Sequence, residues 1–225
     1  MDVRAVLGYI FLALLFIFTA VHLYHSWRDD KKRRKYTKPF LLIIIIAYYI
    51  VSADKLSVLL ILALATSWLG DVLLIPEGNG WFTAGGISFM FTHFLFIALY
   101  ATRLDFSSLP WAFAIAAAIV YYGISALIIY KLRPSTPKVM LIPMYLYLLS
   151  NSTMNIFSLM QLVTLRSAAA AVAYAGAVLF FISDCTLFLV RYHKHKDLIF
   201  KRHFTVMLTY IVGELLITQG VLMLG

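Results

Sequence analysis

Long apolar runs separated by short polar stretches recur along the whole chain, and within each run the apolar residues are continuous instead of alternating. A helix that crosses a bilayer needs roughly 20 mostly apolar residues at a rise of ~1.5 Å each. Runs that meet or approach this length are Ala5 to Trp27, Pro39 to Ala53, Leu56 to Ile75, Phe82 to Ala101, Pro110 to Tyr130, Val139 to Met160, Ala168 to Val190 and Phe204 to Leu224. Lipid offers the backbone no hydrogen-bond partner, so such runs must satisfy their own amides as helices. The short segments of alternating polarity that build a membrane β-barrel are absent. The pattern predicts an all-α, polytopic transmembrane helical bundle of about eight spans. Its second run is the shortest, with about 15 residues before Asp54 and Lys55, below the usual minimum of roughly 17. A local thinning of the bilayer, or a shallow hairpin with the third span, is expected there.

Composition narrows the picture further. Of 225 residues, 63% are hydrophobic and 13% charged, a balance that water-soluble domains do not carry. Eight spans use about 160 residues and leave about 65 for every loop and tail, so residues 1–225 read as a single integral membrane domain. The N-terminus carries Asp2 and Arg4 before the first apolar run, with basic residues after it. That is the reverse of a secretory signal peptide, so the run is expected to remain as the first span.

The net charge of +9 does not point to nucleic acid, because the basic residues sit between apolar runs instead of forming a stripe. Fifteen of the 19 Lys and Arg residues lie on the connections after spans one, three, five and seven, and four (Arg4, Lys55, Arg103 and Arg166) lie on the other side. Cytoplasmic loops carry the basic excess, which puts both termini outside. The block Arg28, Lys31, Lys32, Arg33, Arg34 and Lys35 is a topology determinant that also suits anionic lipid headgroups. The single cysteine, Cys185, excludes an intrachain disulfide and a cysteine-ligated metal site.

Ionisable side chains inside spans cost about 2.5 to 3.5 kcal/mol each on insertion scales, so each one retained is a site hypothesis. Four qualify: Asp71, His93, Asp184 and Glu214. Counted from the cytoplasmic side, Asp71 and Asp184 lie at depths of about 6 and 9 Å, and His93 and Glu214 near 15 Å, with Tyr210 one turn shallower than Glu214. Span six adds Tyr145, Tyr147, Ser150, Asn151, Ser152 and Asn155, a polar midsection that either lines the same cavity or bonds neighbouring helices. Lys38 sits at the cytoplasmic mouth, where an ammonium either meets a phosphate or snorkels to the interface. Two carboxyl groups at similar depth on different helices suit general acid and base work; proton relay in a transporter uses the same parts.

Gly70-Asp71-Val72-Leu73-Leu74 and Ser183-Asp184-Cys185-Thr186-Leu187 share a small residue, an Asp and an apolar residue three positions later, on spans that run in the same direction. This hints at a parallel four-plus-four repeat, as in some transporters. His22 and His25, spaced i, i+3 near the end of span one, are candidate zinc ligands with His93, or simply face the interface. Cys185 follows Asp184 directly and lacks an evident activating base. Gly78, Gly80, Gly85 and Gly86 surround a turn without a P-loop or dinucleotide pattern.

Ser67-Trp68-Leu69-Gly70-Asp71, then Phe82, Gly85-Gly86, Phe89 and His93, then Gly176 through Asp184 and finally Tyr210, together resemble the lysoplasmalogenase or YhhN-like family. Lys38-Pro39 resembles the family's early Lys-Pro element, whereas Glu214 stands where the family pattern favours Gln. The resemblance implies hydrolysis of the vinyl ether bond of alkenyl lysophospholipids to a fatty aldehyde and glycerophosphocholine or glycerophosphoethanolamine, with no cofactor; the expected location is a bacterial plasma membrane. It implies Asp71 and Asp184 as acid and carboxylate partners in unassigned order, and His93 as the residue that orients water or tunes the pair. Lys38, Ser67, Asn151, Asn155, Ser183, Tyr210 and Glu214 are then the residues expected to contact substrate. The rival reading is a proton-coupled small-solute or lipid transporter on the same carboxylates. A third, a zinc-dependent lipid amidase, is weakened because only one His lies deep in the membrane.

Overall fold

Eight α-helices account for nearly all of the computed structural model, which describes residues 3–107, 109–195 and 198–225. They are α1 (Val3–Trp27), α2 (Lys31–Ser52), α3 (Val58–Leu73), α4 (Asn79–Ala101), α5 (Trp111–Leu132), α6 (Lys138–Leu165), α7 (Ala168–Tyr192) and α8 (His203–Leu224), with one 3-10 turn at Arg133–Ser135 and no strand among the described residues. Six helices, all but α3 and α6, are long and apolar enough to cross a membrane. The 28 residues of α6 exceed the length required, and α3 is apolar but has only 16 residues. An integral membrane bundle of about eight spans accounts for these elements. Lys196, one of the basic residues on the connection after the seventh span, and Asp2 lie outside the described residues.

The second, third and sixth helices depart from the expected boundaries, the sixth by continuing past Met160 to Leu165. Asp30 caps α2 by accepting from the Arg33 amide at 3.1 Å, so the helix starts at Lys31, eight residues ahead of Pro39. Its 22 residues give a length of about 33 Å, enough for a full crossing. No shallow hairpin is needed. Pro39 lies inside the helix, where it lacks an N–H, and its carbonyl accepts from Trp68 Nε1 of α3 at 3.0 Å. The short element is instead α3, about 24 Å long by its 16 residues. It starts after an extended link at which Ser57 Oγ accepts from the Leu60 amide, and it ends just past Asp71.

Sequential helices pair: α1 with α2, α3 with α4, α5 with α6, and α7 with α8. Some cross-pairings also recur between halves, α2 on α3 with α6 on α7, and α2 on α8 with α6 on α4. The contacts of α1 with α8 and of α5 with α7 have no counterpart of similar extent, so the recurrence is partial. The tightest seam is α7 on α8, where small residues let backbones meet. A Cβ added at Gly176 falls 2.6 Å from Gly213 O and Ile217 N. This seam fixes Asp184 of α7 relative to Tyr210 of α8.

Polar ties mark the two ends of the bundle. At one end Lys31 Nζ reaches Glu77 Oε1 at 3.3 Å and Arg191 donates to Asn79 Oδ1 at 3.0 Å, which gathers the connections after α1, α3 and α7. At the other, Arg4 pairs with Asp54 at 3.5 Å and donates to the carbonyls of Val51 and Ala53 at the end of α2. Between them the outer faces expose apolar side chains such as Ile17, Ile43, Phe91, Phe113, Ile119 and Ile142, the surface that lipid covers.

Candidate active site

A cavity of about 470 Å³ opens at the basic end and is lined by α1, α2, α3, α4, α7 and α8. Both intramembrane aspartates, Asp71 and Asp184, line it. Its walls are apolar where Leu74, Phe82, Phe89, Leu187, Val190 and Met207 face it, and its rim is basic, with Lys31, Arg34, Lys35 and Arg191. An amphiphile with an anionic head and an apolar tail matches that distribution.

Asp71 is 2% exposed, and each of its oxygens is engaged. Lys38 Nζ meets Oδ1 at 3.1 Å, and the Tyr210 hydroxyl donates to Oδ2 at 2.9 Å. A buried carboxylate is tolerated only with such partners, and removing one partner of a buried pair costs about 3–5 kcal/mol. The position of Lys38 follows from the early start of α2, which carries it one residue ahead of Pro39 within the helix.

Asp184 is held differently. Asn151 Nδ2 of α6 donates to its Oδ2 at 2.7 Å, and His93 Nε2 of α4 approaches the same oxygen at 3.3 Å, near enough for an ion pair but short of hydrogen-bond geometry. The other ring nitrogen, His93 Nδ1, lies 3.0 Å from Ser150 Oγ. Tyr147 packs edge-on against the imidazole, with centroids 5.0 Å apart, and is close enough to Asp184 to act on its charge. Phe180 makes a second edge-on contact with His93 and another with Tyr210. The imidazole is therefore fixed in place and fully buried.

Of the residues expected in the site, Lys38, Asp71, Ser183, Asp184 and Tyr210 line the cavity. The others form a layer behind its wall. His93 and Asn151 reach the cavity through Asp184. Asn155 Nδ2 donates to Asn151 Oδ1 at 3.0 Å, bracing the amide that holds Asp184. Ser67 Oγ donates to Glu214 Oε1 at 2.6 Å, and both are fully buried. The Ser183 hydroxyl donates to Val206 O at 2.9 Å, a tie between α7 and α8. Ser67, Asn151, Asn155 and Glu214 are thus buried behind the residues that line the cavity.

Ser150, read in the sequence as lining the cavity or bonding a neighbouring helix, does the latter by meeting His93, whereas His203 was not anticipated as a lining residue. A signal existed for α6: Tyr147, Asn151 and Asn155 recur at i, i+4, i+8, a polar stripe on one face. No comparable signal marked His203, which lies beyond the seventh apolar run and enters the rim only when α8 docks. His22 also lines the cavity, and the described residues contain no group of three or more His, Cys, Asp or Glu side chains placed to hold a metal ion.

A family comparison covers most of the molecule: the YhhN family model matches residues 33–221. No curated protein and no solved structure matches the chain.

Proposed function

The chain belongs to the YhhN family, which includes lysoplasmalogenase, and from that premise we propose that it hydrolyses the vinyl ether bond of an alkenyl lysophospholipid. The observation that carries the reading is the pair of buried carboxyl groups, Asp71 and Asp184, on different helices that line one cavity with a basic rim and apolar sides. A vinyl ether reacts by taking a proton at its β-carbon, which leaves an oxocarbenium ion. Water adds to that cation, its proton returns to the protein, and the hemiacetal collapses to a fatty aldehyde and a glycerophosphoester. Atoms balance with one water consumed, and no cofactor enters.

The two carboxyl groups divide these tasks by their surroundings. Asp71, paired with the Lys38 ammonium, is the anionic member that faces the developing cation. Asp184 is the proton-handling member: it gives its proton to the β-carbon and takes one back from the attacking water, while His93 behind it tunes this exchange. Aromatic side chains at the wall, Phe89 among them, add the negative faces of their rings to the stabilisation of the cation. The tail lies along Leu74, Leu187 and Met207.

The basic rim argues for an active site at the cytoplasmic face, with both termini outside, and a bacterial plasma membrane suits this arrangement. Support for the transporter alternative comes from the partly recurrent helix pairings and from Glu214, buried with an Oε2 that has no partner among the described residues. One experiment separates the two. Purified protein in detergent is incubated with an alkenyl lysophosphocholine and assayed for free aldehyde, with the alkyl ether as control. Aldehyde from the alkenyl lipid alone supports the hydrolase. Its absence, together with solute-driven proton uptake in liposomes, supports the transporter.

A further inference from the structure

The cavity mouth carries a second polar cluster, distinct from the two aspartates. His22 of α1 is 1% exposed and lines the cavity, with Nδ1 lying 2.7 Å from Thr37 Oγ1. The Thr37 hydroxyl donates to Arg34 O at 3.1 Å. That commits its only proton, so the His22–Thr37 bond takes its proton from Nδ1. A neutral ring then carries a bare lone pair on Nε2, and this atom is buried with no partner among the described residues. Buried acceptors are nearly always matched. The nitrogen is therefore set to accept from a donor that enters the cavity.

Two cations flank it. The Arg34 side chain is 12% exposed and meets Asp29 Oδ1 at 3.4 Å through one nitrogen, which leaves further N–H donors of its five-donor fork available. Lys38 uses one of its three N–H groups on Asp71. Both cations lie close enough to act electrostatically on His22 and on His203. Of the acidic groups facing the cavity, Glu77 is engaged by Lys31, Asp71 by Lys38, and Asp184 by Asn151 and His93.

We propose that this cluster recognises the glycerophosphate portion of a lysolipid: Arg34 and Lys38 take the phosphate oxygens, and His22 Nε2 accepts the glycerol hydroxyl that a lysolipid leaves free. The assignment rests on the reading of the cavity as a lysolipid site. It makes His22 a specificity residue. A lipid substituted at that hydroxyl brings no donor and leaves the buried nitrogen unmatched, which is the situation in which hydrogen-bonding sites discriminate most strongly.

Binding to the purified full-length protein tests this without turnover, because a saturated alkyl lysophosphocholine carries the phosphate and the free hydroxyl but no vinyl ether. Its affinity for the wild type is compared with those of the 2-deoxy analogue and of an alkylglycerol that lacks phosphate. Each deletion is expected to weaken binding by about tenfold or more. Soluble glycerophosphocholine is expected to compete, and inorganic phosphate to compete at least about tenfold less well; equal competition would mean a plain anion site and overturn the hydroxyl assignment. His22→Phe should abolish the preference for the hydroxyl and keep that for phosphate, whereas Arg34→Gln should weaken the preference for phosphate, leaving Lys38 to hold it, and keep that for the hydroxyl. Should His22→Phe fail to fold, the analogue comparison on the wild type still decides. Equal wild-type affinity for the lysolipid and its 2-deoxy analogue overturns the proposal. If these preferences appear while no aldehyde is released from the alkenyl lipid, the recognition site stands and the hydrolase reading fails. Aldehyde release without the preferences leaves the hydrolase standing and removes the recognition site.

Discussion

Asp71 and Asp184 differ in what holds them, and the difference predicts how each responds to substitution. Asp71→Asn strands the Lys38 ammonium in a mostly buried position, so both thermal stability and aldehyde release should fall, stability by about 3–5 kcal/mol. Adding Lys38→Met to that variant should recover much of the stability but none of the activity, as measured by thermal unfolding beside the aldehyde assay. Asp184→Asn keeps the contact with Asn151 in size and shape, so it should lower activity by about 10² or more with little loss of stability. A stable Asp184→Asn protein of undiminished activity contradicts its role. His93→Gln should cost less, about tenfold, because the imidazole acts through Asp184. The aspartates and His93 were legible in the sequence because an ionisable group within an apolar run has few reasons to be there. Their partners were not. Ser183 and Ser67 sit beside or near the motif aspartates in sequence, yet their hydroxyls turn to Val206 O and to Glu214, which only helix rotation decides.

At the scale of elements, hydropathy located every helix but misplaced where the second begins, how much the third spans and where the sixth ends. Apolar runs end where charges begin, whereas a helix ends where its capping groups are satisfied. Asp30 extends α2 outward to Lys31 by capping it in spite of the basic first turn, and that extension carries Lys38 into the site. The capping residue was visible in the sequence, hidden only by the assumption that a span starts with its first apolar residue. Close approach of α7 and α8 was less legible, since Gly176, Gly213 and Gly220 acquire meaning only once the two helices face each other. Gly176→Ala should destabilise the bundle by about 1–3 kcal/mol, as overpacking does, because the new methyl meets backbone at 2.6 Å instead of a flexible side chain. Thermal unfolding in detergent checks this. An unchanged Tm would mean that the seam is looser than described.

For the whole molecule, a basic excess at one end predicts the orientation, and on the proposed function the orientation decides the leaflet from which the lipid would enter. Single cysteines at Lys32 and Lys55, in a background where Cys185 is buried, should separate under an impermeant thiol reagent: position 55 modified in intact cells, position 32 only after disruption. The reverse pattern moves the cavity to the outer face. The class of fold was readable because lipid permits so few backbone solutions. The gathering of α1, α2, α3, α4, α7 and α8 around one cavity was not, because helix order in a bundle depends on packing that no single run encodes. Cleavage of a vinyl ether in this cavity stands or falls on protonation of carbon. Running the purified enzyme on an alkenyl lysophosphocholine in D₂O, and reducing the aldehyde to the alcohol as it forms, tests that step most directly. Proton transfer to the β-carbon predicts one deuterium on the carbon next to the former carbonyl, with about 10²-fold less product from Asp184→Asn. Aldehyde that carries no deuterium there, or is formed equally by the variant, contradicts it.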